Sequence, residues 1–152
     1  MRALALIALV FLTGCGKPEG KPTPATASTP ALPASQTAFL ALPRTGAASD
    51  DFCTRFKAFD RFDTWQGKVQ DLRISTLDGT ADLEINIGQD ASGHGIRLEA
   101  VVAKVDPVYP ALMTLSLGQA IVVSGQFTHA NNDADCIYYN GPFGVHLSAL
   151  KG

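Results

Sequence analysis

The sequence predicts an all-β domain, a barrel of five short strands accompanied by short helices. Three observations support this class: apolar and polar residues alternate in separate runs, the first run slips by one residue, and an Asp-Gly pair separates the first two runs. Alternation is typical of strands with one buried face. A slip indicates a bulge or bend, and Asp-Gly favours a tight hairpin. A small barrel requires such a bent first strand.

An amino-terminal helix is predicted from Ser49, which can cap it, with two aspartates in the first turn. Phe52, Phe56 and Phe59 then fall at helical spacing and form one aromatic stripe. Three phenylalanines at this spacing indicate packing against a core rather than a cofactor site.

The first strand is predicted to start near Trp65 and to slip near Gln70, and a hairpin is predicted over residues 77–80. Two further strands alternate cleanly. Their inward positions are Leu83, Ile85 and Ile87 in the second strand, and Ile96, Leu98, Ala100 and Val102 in the third.

A second helix is predicted to begin at Asp106-Pro107, where a capping residue precedes a proline, and to end at Gly118. The β-branched run at 121–127 predicts a fourth strand, and residues 143–147 predict a fifth. A long polar loop, residues 128–142, separates them.

Five strands with a helix between the third and the fourth is the order of an OB-fold barrel. Three short motifs add a resemblance: Trp65-x-Gly67-x-Val69, Leu115-x-Leu117-Gly118 and Val123-Ser124-Gly125-x-Phe127. Together they resemble the tRNA-anticodon-binding-like OB domains of bacterial exported proteins, over residues 65–147. The resemblance implies a fold and does not imply RNA binding.

Residues 1–14 carry a targeting signal. Met1-Arg2 precedes 11 mainly apolar residues that end at Thr13, and Leu12-Thr13-Gly14-Cys15 follows the pattern of a lipobox. A transmembrane helix would need about 20 apolar residues. The pattern resembles a bacterial lipoprotein signal, which implies cleavage before Cys15 and its acylation with palmitate or a related chain. An ordinary secreted signal is the alternative, although it needs no cysteine there. Because Gly16 occupies the place of a retention aspartate, we expect an outer-membrane anchor that faces the periplasm.

Residues 15–48 are predicted to form a disordered tether between the lipidated cysteine and a folded domain at 49–152. Residues 16–48 hold six of the nine prolines and are otherwise rich in Ala, Thr and Ser. One apolar run, 39–42, interrupts the segment. It is interpreted as a sticky patch in a linker, with a docking segment as the alternative.

Cys53 and Cys136 are the two cysteines that remain after Cys15. In an exported protein, two cysteines at opposite ends of a domain predict a disulfide. The alternative, a reactive thiol pair, lacks Cys-x-x-Cys spacing.

The predicted domain carries eight lysines and arginines against thirteen acids, a net charge of −5. A negative domain repels phosphate backbones, so a nucleic-acid partner is not expected. Contact with a membrane is expected through the lipid anchor, with the basic end of the tether close to anionic lipid.

No nucleophile, metalloprotease or phosphate-loop motif occurs. Ser124 is interpreted as a small barrel residue rather than a nucleophile. His129, Asp133 and Asp135 could hold a divalent cation, but they lack calcium-loop spacing and are interpreted as turn residues. We therefore expect no enzymatic activity, no cofactor and no metal.

Four residues are candidates for binding: Tyr138 and Tyr139 in the long loop, Trp65 at the first strand and His94 in a glycine-flanked loop. For Trp65, a core position is the favoured interpretation. His146 is interpreted as a surface residue. The sequence predicts a non-enzymatic envelope lipoprotein whose OB domain binds another protein. The alternative is a small-ligand or glycan binder that uses the barrel mouth, and a nuclease-type enzyme is third.

Overall fold

The structure is a computed structural model that describes residues 32–44, 49–129 and 141–152. Several predicted features lie outside these residues: the signal peptide, Cys15, Asp133, Asp135, Cys136, Tyr138 and Tyr139. The helices described are α1 (Ala34–Leu40), α2 (Ser49–Phe56) and α3 (Tyr109–Leu112). The strands are β1 (Arg61–Ile74), β2 (Ala81–Gln89), β3 (Gly95–Val102), β4 (Ala120–Phe127) and β5 (Phe143–Lys151).

The five strands close into a barrel in the order β1-β2-β3-β5-β4. The β3–β5 pair is parallel and the other pairs are antiparallel. Strand β1 serves two neighbours, because residues 61–68 pair with β4 and residues 68–74 pair with β2. This is the topology of an OB-fold barrel with short helices, and the predicted fold class is confirmed.

Two irregularities bend β1. The first is a register shift between Val69 and Asp71 against β2, at the position where the apolar pattern slips. The second, between Phe62 and Trp65 against β4, was not predicted. Thr64 lies there with φ of 53°, in the left-handed region. The Ser124 hydroxyl accepts a hydrogen bond from the Thr64 N–H at 3.0 Å and donates one to Asp63 at 2.6 Å, which holds the bend in place.

Helix α1 lies inside the segment predicted to be a disordered tether, and for residues 32–44 that prediction is wrong. Phe39, Leu40 and Leu42 are buried, and Phe39 is fully enclosed. Leu40 packs directly on Gly88, where any Cβ would lie 2.9 Å from a Leu40 methyl group. The apolar run at 39–42 is therefore a docking segment, the alternative interpretation of the sequence.

The helices occupy opposite ends of the barrel. Phe39 of α1 and Phe52 of α2 pack near the start of β5, and Phe39 also reaches the end of β4. Helix α3 follows β3 and precedes β4, at the other end. It has four residues, shorter than predicted, and the Asp106 carboxylate caps the turn before it by accepting the Val108 N–H.

The described helices include none whose length and hydropathy would suit a membrane span.

Candidate functional site

The α1 end of the barrel is filled by aromatic side chains. Phe39 lies at the centre of this group, with ring centroids 5.2 to 6.0 Å from those of its neighbours Phe56, Phe59, Trp65, Phe127 and Phe143. Trp65 is fully buried, and its indole N–H donates to the Ser35 hydroxyl at 2.9 Å. Trp65 is therefore a core residue, which is the interpretation that the sequence favoured, and it is not available as a surface binding residue.

A buried amide fixes α1 to the sheet. The Gln36 side chain, 0% exposed, donates to the carbonyl oxygens of Gln66 at 2.7 Å and Ile87 at 2.8 Å, and its oxygen accepts the Gln66 N–H at 2.8 Å. Strands β1 and β2 separate beyond the Lys68–Asn86 pair. The amide thus fills the gap where two strand backbones no longer reach each other.

Arg44 holds the chain that follows α1 against the aromatic end of the barrel. Its guanidinium donates to the carbonyl oxygens of Phe39, Leu40 and Leu42 at 2.8 to 3.1 Å. It also lies over the rings of Phe39 and Phe52, with its carbon 5.1 and 5.2 Å from their centroids. Burial lowers the Arg44 pKa to about 10, and the charge of Asp90 opposes that shift. Residues 32–44 together form what we call the α1 plug.

The loop between β2 and β3 is organised by Asp90. Its carboxylate accepts the N–H groups of Ser92 and His94 at 2.8 and 2.9 Å, and the Asp90 side chain is only 4% exposed. Desolvation raises the Asp90 pKa, but these two bonds and the charges of His94 and Arg44 outweigh it, so the pKa lies below its ordinary value. His94 is 57% exposed, as predicted for a loop histidine.

The other candidates have structural surroundings. His129 forms a hydrogen bond of 2.9 Å with the Phe59 carbonyl and stacks edge-on against Phe56, 4.8 Å away. His146 is exposed on β5, as predicted. Within residues 32–44, 49–129 and 141–152, no group of three His, Cys, Asp or Glu residues could hold a metal ion. Cys53 is disulfide-bonded, and its predicted partner Cys136 lies outside the described residues.

The outer face of β1, β2 and β3 carries a group of charged side chains. A depression there is lined by Asp71, Arg73, Asp82, Leu83, Glu84 and Glu99. Arg97 pairs with Glu84 at 3.0 Å, and Arg73 pairs with Asp71. In the described part of the chain, Asp82 and Glu99 have no ion-pair partner. With Lys68, which lies across from Asn86 on the same face, three cations stand against the four carboxylates Asp71, Asp82, Glu84 and Glu99, so the described part of this face carries a net charge of −1.

Among the described residues, this face has no stacking platform for bases. None of the aromatic side chains in the described residues is exposed, because all of them are buried or partly buried. Single-stranded nucleic acids bind through exposed rings and a positive groove. The outer face has neither property among its described residues.

Sequence reasoning missed Gln36, Arg44 and Asp90. The Gln36 amide bonds to Gln66 and Ile87, which are 30 and 51 residues away in the sequence, and no local pattern signals such contacts. The apolar run at 39–42 was the available signal for the plug. For Asp90, the Asp-x-Ser spacing in a glycine-flanked loop was a turn signal.

Comparisons with protein-family models, with curated proteins and with solved structures find no match for this chain. The resemblance to tRNA-anticodon-binding-like OB domains therefore stays a prediction.

Proposed function

We propose that this protein is a non-enzymatic lipoprotein of the bacterial envelope, anchored through Cys15, whose OB-fold barrel binds another protein. The observation that supports this most is the outer face of β1, β2 and β3, where Asp82 and Glu99 are exposed and unmatched by cations in the described structure. Unmatched carboxylates favour a positively charged protein surface and disfavour nucleic acid.

The end of the barrel near α1 is filled by side chains, and this supports a protein partner over a small ligand. A ligand in the mouth near α1 would have to displace Phe39, which is fully buried, and break the three Gln36 hydrogen bonds. Binding would then have to exceed the free energy that holds the α1 plug in place. The outer surface of the barrel needs no such rearrangement.

The anchor is tested on full-length protein in its native membrane. We expect intact mass of the purified protein to show loss of residues 1–14 and addition of acyl chains, and Cys15→Ser to abolish both the mass increase and membrane retention. Unmodified protein that stays in the membrane would contradict the anchor.

The partner is tested by gentle solubilisation and mass spectrometry of complexes that survive size-exclusion chromatography. We expect one envelope protein to co-elute in fixed stoichiometry with the wild type. A Tyr138→Ala, Tyr139→Ala variant tests the long loop, and an unchanged complex would remove that loop from the interface. Absence of any complex, together with a thermal shift produced by glycans alone, would favour the ligand-binding alternative.

A further inference from the structure

The α1 plug is attached to the barrel at both ends of its helix. In the first turn, the Ser35 hydroxyl accepts the Trp65 indole N–H, and the Gln36 amide bonds to the backbones of β1 and β2. In the last turn, Leu40 packs on Gly88 near the end of β2. The chain that approaches the barrel from its amino terminus is therefore fixed from residue 35 onward.

This attachment shortens the chain that can extend between Cys15 and the barrel. Residue 35 is 20 residues from Cys15 (35 − 15), whereas Ser49, where α2 begins, is 34 residues away (49 − 15). A chain spans at most about 3.5 Å per residue, so docking of the plug lowers the limit from about 120 Å to about 70 Å. The limit follows from covalent geometry alone.

Undocking the plug would carry a free-energy cost. Phe39 is fully buried among aromatic rings, and undocking would return its apolar surface to water. The Arg44 guanidinium would lose its position over the Phe52 ring. The backbone groups that the Gln36 amide bonds would lose that partner as well. The contacts of the plug therefore favour the docked state, in which the chain to Cys15 is short.

We propose that the α1 plug limits the reach of the barrel, and that the partner of the barrel is a protein of the membrane in which Cys15 is anchored. This inference rests on the proposed function and specifies where the partner lies. The local concentration of a tethered module falls roughly as the −3/2 power of the tether length, so shortening the chain from 34 to 20 residues raises it about twofold. Proteins of the same membrane gain from this increase, whereas a partner beyond about 70 Å would be out of reach.

Two insertions of one Gly/Ser segment test the reach on the full-length, lipidated protein in vesicles of phosphatidylethanolamine and phosphatidylglycerol. The segment equals the 20-residue spacing between Cys15 and residue 35. One insertion follows Pro30, before the plug, and the matched control follows Gly46, between the plug and α2. Energy transfer between a fluorophore at position 148, on the outside of β5, and labelled headgroups measures the height of the barrel.

The two insertions are expected to act differently on this height. The insertion before the plug doubles the free chain and should raise the mean height by about 10 Å, as for a coil. The control should leave the height unchanged, because its added residues form a loop beside a docked plug.

Formaldehyde crosslinking in intact cells tests the partner with the same two proteins. The crosslinked complexes are captured through the barrel, quantified and identified by mass spectrometry. We expect the insertion before the plug to lower the yield with a protein of the anchor's membrane by about threefold, since doubling the tether dilutes the barrel. The control insertion should give the yield of the wild type.

Every other outcome overturns a stated part of the inference. Equal effects of the two insertions, or no increase in height from either, would show that the plug does not limit the reach and would leave the proposed function standing. A yield that rises or stays constant with the insertion before the plug would place the partner outside the anchor's membrane. Crosslinks to no protein at all would overturn the assigned partner and the proposed function together, while the vesicle measurement would still decide the role of the plug.

Discussion

The side-chain amide of Gln36 pairs with the backbone of Gln66, donating to its carbonyl at 2.7 Å and accepting its N–H at 2.8 Å. The geometry is that of a strand residue, although Gln36 belongs to a helix. The Gln36 amide takes the place of the β2 backbone beyond the Lys68–Asn86 pair, where β1 and β2 separate. Removing the amide would take away the hydrogen-bond partner that it gives to the Gln66 N–H and to the carbonyl oxygens of Gln66 and Ile87.

Gln36→Leu is therefore expected to lower the free energy of unfolding by about 3 kcal/mol, since buried backbone donors and acceptors lose their partners. Thr37→Ala is the matched control, because Thr37 is exposed on the same helix. The control should change the free energy by less than about 0.5 kcal/mol. Urea unfolding of both variants measures the difference, and equal values would show that the amide contributes nothing.

Arg44→Lys is expected to destabilise the domain by about 2 kcal/mol, although it keeps the charge. A lysine ammonium lacks the planar fork that reaches three carbonyls while lying over two rings. Arg55→Lys is the control, because Arg55 is more than half exposed and pairs with Asp51 at the surface. It should cost less than about 0.5 kcal/mol. Chemical denaturation with similar losses in both variants would contradict this role for Arg44.

Thr64→Gly tests the bend in β1. A β-branched residue at φ of 53° is strained by about 1 to 2 kcal/mol, whereas glycine adopts this conformation freely. We expect the free energy of unfolding to rise by about 0.5 kcal/mol, after the entropy that glycine adds to the unfolded chain. Gln126→Gly on β4 should instead lower it by about 1 kcal/mol. A loss at Thr64 as large as that at Gln126 would rule out strain at the bend.

Asp90→Asn tests the loop carboxylate through pH. The folded pKa of Asp90 lies below its ordinary value, so its charge stabilises the fold above the unfolded pKa of about 3.9. That contribution is lost as the pH falls through the folded pKa. We expect the variant to be about 1 kcal/mol less stable than the wild type at pH 7.

The difference between the two proteins should shrink as the pH is lowered, because the wild type loses the charge that the variant lacks. Thermal unfolding at several pH values between neutral and strongly acidic measures it. A difference that stays constant across this range would exclude an electrostatic role for Asp90.

The fold was predictable where local pattern and tertiary structure agree. The slip near Gln70 predicted the bulge between Val69 and Asp71, and Asp78-Gly79 predicted the hairpin, because both depend on residues adjacent in sequence. The bend at Thr64 left no such trace. It depends on the Ser124 hydroxyl, 60 residues away.

The α1 plug escaped prediction because it lies within residues 16–48, a segment whose composition is that of a linker. Proline, alanine and threonine dominate residues 16–48, and the contribution of the plug to stability comes from a few residues that contact distant partners. Phe39 packs among rings from β1, β4 and β5, and Gln36 bonds to β1 and β2. Helical propensity and periodicity carry no information about such contacts. The acidic outer face of β1, β2 and β3 was partly predictable, since Asp82, Glu84 and Glu99 fall on the outward positions of their strands.

The central claim is that the α1 plug belongs to the folded domain and closes one end of the barrel. Urea unfolding of two proteins tests it most directly, one beginning at residue 31 and one at residue 49. Burial of Phe39, Leu40 and Leu42 predicts that the shorter protein loses about 4 kcal/mol or more, or fails to unfold cooperatively. Equal free energies of unfolding for the two proteins would contradict the claim.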